Sequence, residues 1–176
     1  METHTERIAR VRAAYKEARE RFATRLRQAS DADVHRAPAG GGWSVAQIGW
    51  HVAAVDASFA AVLSGESPAA KPLADGAAVR TWSEVAASIP DRLDAGKRVQ
   101  PPEAVSRDEV LASLAESAEK LDAALAALTE TRATGFAITH PVIGVVALGQ
   151  IGDWATAHVA RHNKQAKRVL ADVPAT

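Results

Sequence analysis

Apolar residues recur along much of this chain at intervals of three and four, the spacing of a helix with one buried face. Ile8, Val11, Tyr15, Ala18, Phe22 and Leu26 form the first such stripe. Thr3 and Glu6 stand ahead of it in the Thr-x-x-Glu capping pattern, so the spacing predicts a helix from there to about Gln28. Pro38 and the Gly40, Gly41, Gly42 run then break the chain. Ser44 and Gln47 make a second capping box, with Trp43 and Ile48 placed to form a hydrophobic staple, and a second helix is predicted to about Ser64. Its core stripe is expected to be Ile48, His51, Val55, Ser58 and Val62.

Residues 65–105 hold five of the eight prolines, which predicts a long connection carrying at most a short helix over Thr81 to Ser88. Ser106 and Glu109 open a third long helix whose stripe is Val110, Leu114, Ala118, Leu121, Leu125 and Leu128. Gly135, Pro141 and Gly144 bound a turn, and Thr139 to Val146, interrupted by Pro141, is expected to be loop. Ile151, Trp154, His158, His162, Gln165 and Val169 trace the fourth long helix. Four amphipathic helices with one long crossover between the second and third predict an all-α four-helix bundle. The 176 residues suit one domain, taken as 1–176.

Composition narrows the functions open to such a bundle. Lys plus Arg equals Asp plus Glu at 21 each, with no basic patch, so no nucleic-acid partner is expected and a small molecule is. The charged N-terminal thirty residues lack the apolar core of a secretory signal, and no uninterrupted run nears the roughly 18 apolar residues of a membrane span. The expectation is a cytoplasmic protein without a membrane partner. The chain contains no cysteine, so thiolate ligands and a cysteine nucleophile are both excluded, and any thiol chemistry must use an external thiol.

The candidate chemistry lies in histidines on the core stripes. His158 and His162, four residues apart, share one helix face, where two imidazoles can reach one ion. His51, on the inward face of the second helix, can supply a third ligand if the two helices are neighbours. Three protein ligands leave a position for water or substrate, the pattern of catalytic metal sites. Two readings stand on the residues alone: neutral core histidines hydrogen-bonded locally, or a divalent-metal site. Metalloprotease chemistry is disfavoured, because Val159 follows His158 where a zinc protease carries its glutamate base. Imidazole suits zinc first, with nickel or iron as alternatives.

GGWSVAQIGWHVAAVDASF around the second helix and HPVIGVVALGQIGDWATAHVARHNKQAKRVL at the end together resemble the DinB-like, or YfiT-like, metalloenzymes. The resemblance implies an up-up-down-down bundle in which His51, His158 and His162 hold a divalent metal, and a homodimer. It further implies transfer of a low-molecular-weight thiol such as bacillithiol or mycothiol, or hydrolysis, on a small molecule. A bundle that binds metal or dimerises without turnover is the alternative. One departure stands out: Val146 and Ala147 occupy the place of the family's Ser or Thr cap before the last helix.

Other residues have plainer expectations. His140 is read as a cap on the last helix, with lining of the site mouth as its second reading; His4 and His35 are read as solvated. Trp43, Trp50, Trp82 and Trp154 are assigned to packing, and Arg161 to the surface. Asn163 and Gln165 are the candidates to orient a ligand histidine.

Overall fold

The computed structural model describes residues 2–74, 76–90 and 93–172. Residues 75, 91 and 92 of the long connection lie outside the described residues, as do the terminal ones. Four long helices form the body: α1 (His4–Gln28), α3 (Val45–Ser64), α5 (Arg107–Ala126) and α7 (Ile151–Ala171). Short helices α2 (Asp31–His35), α4 (Trp82–Ala87) and α6 (Glu130–Gly135) lie in the connections. The capping boxes predicted at Thr3, Ser44 and Ser106 are all formed, and Thr81 adds another at the start of α4. Each is a local exchange between one hydroxyl and one carboxylate or amide three residues on, which is why sequence spacing locates it.

The direction of the helices differs from up-up-down-down. Tyr15 meets Asp56, while Phe22 and Leu26 flank Gly49, so α1 and α3 are antiparallel. Arg12 pairs with Asp122, while Arg19 reaches the Leu114 carbonyl, so α5 is antiparallel to α1 as well. Arg7 pairs with Asp153 and Arg25 with Asn163, which makes α7 parallel to α1. The order is therefore up-down-down-up. The short connection through α2 turns the chain back on itself, whereas the long crossover carries it from the end of α3 to begin α5 alongside as a parallel neighbour.

The core is apolar, with Phe22, Leu26, Ile48, Leu121, Leu125, Leu148 and Ile151 fully buried. Burial of each such side chain contributes roughly 1.5–3 kcal/mol. Gly49 and Gly152 let the helices close: a Cβ on Gly49 would collide with Val110, and one on Gly152 with Val11 and Leu125. The expected stripes hold with local exceptions. Ser58 is exposed and returns its hydroxyl to the Ala54 carbonyl, Ala118 is half-buried, and Ser117 takes the buried position beside it. By length and composition α3 is the one described helix able to cross a membrane, and most of it is buried in the bundle.

Thr139 to Val146 is not loop. Strands β2 (Phe136–His140) and β3 (Gly144–Ala147) form an antiparallel hairpin with Ala137 opposite Ala147 and His140 opposite Gly144, and β1 (Lys71–Pro72) pairs with β2. Pro141, whose missing N–H argues against a strand, falls in the turn and costs the ladder nothing. Gly144 supplies the left-handed φ of 85° that leaves the turn. His140 caps this hairpin rather than the last helix: its Nδ1 accepts from the Val142 and Ile143 amides, both at 3.2 Å.

Candidate metal centre

Three imidazoles meet between α3 and α7. His51 is buried, and its Nε2 lies 3.1 Å from Nε2 of His158. Ring centroids are 5.1 Å apart for His51 and His158, 4.8 Å for His51 and His162, and 4.4 Å for His158 and His162. One nitrogen from each falls within 4.8 Å of the others. Tetrahedral ligation at roughly 2.0–2.1 Å sets nitrogens about 3.3 Å apart, so small side-chain rotations bring the set onto one ion.

The local sequence explains why the rings face one another. The Ser44 box starts α3 so that His51 turns inward beside Trp43, at a ring distance of 5.0 Å. Gln47 also donates to the Pro102 and Glu103 carbonyls, which draws the crossover back over the start of α3. There a 3₁₀ turn, Lys97–Val99, offers the Val99 carbonyl to Nδ1 of His51 at 2.8 Å. The second ligand pair depends on where α7 begins, and Gln150 fixes that in place of the missing Ser or Thr cap. Its Oε1 accepts from the Ala147 amide at 3.1 Å while its Nε2 donates to the Arg80 carbonyl at 2.7 Å.

Outer contacts set the tautomers. With Nδ1 of His51 donating to Val99, and Nδ1 of His162 donating to Oε1 of Gln165 at 2.8 Å, each Nε2 keeps its lone pair. Nδ1 of His158 is buried without a partner. Burial holds all three imidazoles below their usual pKa, His162 at about 4 and His158 well down, with the neighbouring rings and Arg161 adding to the shift of the latter pair. They are neutral at pH 7. With its Nδ1 unpartnered, His158 in metal-free protein carries its proton on Nε2 and donates it to Nε2 of His51 at 3.1 Å, a bond that an ion would replace, and the donor set of three neutral imidazoles fits a divalent ion.

The remaining expectations divide. Gln165 orients His162, but Asn163 instead accepts from Arg25 at 2.7 Å. Arg161 is not simply a surface charge, since it donates to the Pro90 carbonyl at 2.8 Å and bears on both α7 imidazoles. His4 and His35 are not merely solvated: His4 bonds the Leu128 carbonyl, and His35 bonds the carbonyls of Asp31 and Val105. Trp154 packs on Phe59 at 5.1 Å and meets the His140 ring edge-on at 5.6 Å.

Sequence reasoning passed over a second polar cluster. Asp56 is fully buried on α3, its Oδ2 accepting from the Tyr15 hydroxyl at 2.7 Å and lying 3.3 Å from Nε of buried Arg19. Arg19 in turn donates to the Leu114 carbonyl on α5. Burial pushes the Asp56 carboxyl up to about 6, against the pull of Arg19 and Tyr15. The available signal was a lone aspartate inside VAAVDASFAAVL, where every helical face is otherwise small or apolar.

The DinB superfamily model matches residues 14–166, a span that includes all three histidines. No curated protein matches the chain. A crystal structure described as the conserved protein of locus from Enterococcus faecalis is similar with a TM-score of 0.64, covering 93% of this chain and 94% of that one at 21% identity. That likeness bears on the fold.

Proposed function

The chain belongs to the DinB superfamily, and from that premise we propose that it is a metal-dependent enzyme whose His51, His158 and His162 hold a divalent ion, zinc first, to act on a small molecule. The observation that carries this reading is the convergence of three neutral imidazoles from two helices, two of them already oriented by partners on Nδ1. A bound divalent ion supplies Lewis acidity and lowers the pKa of a thiol or water toward neutrality. The chain's own part is to direct three lone pairs to one point and to hold the His51 and His162 rings through Val99 and Gln165. Without cysteine the chain cannot supply a thiol, so S-transfer requires an external low-molecular-weight thiol, whereas hydrolysis requires only water.

Untagged protein is expected to carry about one divalent ion per chain, with His51→Ala losing it. Turnover of an electrophilic substrate is then followed with and without bacillithiol or mycothiol, against a His162→Ala control. Metal-dependent turnover only with thiol identifies transfer, and turnover without thiol identifies hydrolysis. Metal-loaded protein inert under both conditions favours a non-catalytic metal-binding bundle.

A further inference from the structure

Two of the three imidazoles have an outer partner and the third does not. Ligation through Nε2 places the remaining proton on Nδ1, which then needs an acceptor, and such partners fix the ring and raise its basicity as a ligand. Val99 serves His51 and Gln165 serves His162. Nδ1 of His158 is buried and unpartnered.

The bundle core holds a matching orphan. Among buried side-chain nitrogens and oxygens of the described residues that lack a hydrogen-bond partner, Oδ1 of Asp56 is the one oxygen; the rest are guanidinium nitrogens and Nδ1 of His158 itself. A guanidinium cannot accept a proton, so Oδ1 is the complement in that set. The two residues also lie on facing helices at neighbouring levels of the bundle, without touching one another. Between α3 and α7, His51 faces His158 and Phe59 faces Trp154, which brackets Asp56. Between α1 and α7, Arg7 meets Asp153 and Arg25 meets Asn163, which sets Arg19, the ion-pair partner of Asp56, beside His158. The Arg19 charge is close enough to disfavour protonation of His158. Tyr15 donates to Oδ2 and Nε of Arg19 lies 3.3 Å from it as an ion pair, while Oδ1 has no hydrogen-bond partner.

We infer that Asp56 is the positioning residue for His158: its Oδ1 accepts the Nδ1 proton through one bridging water and holds the ring for ion binding. Tyr15 and Arg19 aim the carboxylate. In this arrangement a network that also ties α1, α3 and α5 together reaches into the metal centre.

The inference rests on the metal reading, and the test separates the two. Zinc affinity of the full chain is measured by chelator competition for wild type and Asp56→Ala, and the ring resonances of the zinc-loaded proteins are followed with ¹⁵N-labelled histidine. The expected result is a roughly 10- to 100-fold loss of affinity, with the His158 Nδ1–H resonance moved and exchanging faster while those of His51 and His162 stay put. A folded Asp56→Ala in which either the affinity or the His158 resonance is unmoved overturns the inference, because a purely structural network leaves that resonance alone. If Asp56→Ala does not fold, Asp56→Asn carries the test. Its neutral amide oxygen is a weaker acceptor, so a moved resonance with a smaller loss of affinity supports the inference and an unmoved one overturns it. Wild-type protein that binds no zinc defeats the metal reading before any variant is compared.

Discussion

The bundle buries two polar clusters side by side, and they are built on opposite principles. His51, His158 and His162 present like groups to one another, three neutral rings whose nitrogens converge. Tyr15, Arg19 and Asp56 present complementary groups, a hydroxyl and a guanidinium closing on one carboxylate oxygen. The complementary cluster sets opposite charges against each other inside the chain, although Nε and Nη1 of Arg19 and Oδ1 of Asp56 lack hydrogen-bond partners. The convergent one offers only neutral donor atoms to whatever enters it, and that difference, more than burial or polarity, distinguishes a candidate binding site from a structural network.

Breaking the complementary cluster should have the largest effect. Arg19→Ala leaves the Asp56 carboxylate buried beside no cation, and loss of one partner of a buried pair costs about 3–5 kcal/mol. His51→Ala in metal-free protein removes a neutral ring bonded to the Val99 carbonyl and to His158 and should cost roughly 1 kcal/mol, within the ordinary range for a single substitution. Urea unfolding of both variants measures the contrast. Equal losses would show that the two clusters are held together in the same way.

Acid sharpens the comparison, because the two clusters titrate with opposite sign. Asp56, raised to about 6 in the native state against 3.8 unfolded, keeps its proton where the unfolded chain has released it. Its contribution is therefore fully present below about pH 4 and is lost as pH rises to about 6, at about 1.4 kcal/mol per pH unit of the window at most. The histidines, lowered from 6.5, contribute stability that is present above pH 6.5 and lost as pH falls. In wild type the two partly cancel. Asp56→Asn removes the opposing part, so the stability of the metal-free variant should fall more steeply on acidification from pH 6 to 4 than that of wild type. Parallel pH profiles from chemical unfolding would mean that Asp56 is ionised across the whole range.

Legibility in the sequence followed the range of the interaction. Caps at Thr3, Ser44 and Ser106 are exchanges within three residues, and each appears where its spacing places it. His158 and His162 share a face by helical period alone, and His51 follows once its own stripe is known. Helix direction was not legible, because periodicity locates a buried face without saying which way its neighbour runs. The hairpin hid behind Pro141, which is hostile to a strand and at home in the turn it occupies. Asp56 was hidden for a different reason: its partners Tyr15 and Arg19 lie 41 and 37 residues away, and only the packed bundle brings them together.

The smallest effect tests whether the convergent cluster depends on its outer contacts. Gln165 holds the His162 ring through a 2.8 Å bond to Nδ1 and packs little else into the core. Gln165→Ala should leave metal-free stability almost unchanged while weakening ion binding about tenfold, the low end for loss of an outer partner. Linkage turns this into a stability difference. At an ion concentration about 100 times the wild-type dissociation constant, binding adds roughly 2.7 kcal/mol to wild type, whereas a site ten times weaker gains only about 1.4 kcal/mol. Thermal or urea unfolding of both proteins, with and without the ion, reads that gap of about 1.3 kcal/mol directly. An equal gain in both would mean that His162 is oriented by the helix and not by Gln165, and an equal absence of gain would mean that the three rings hold no ion at all.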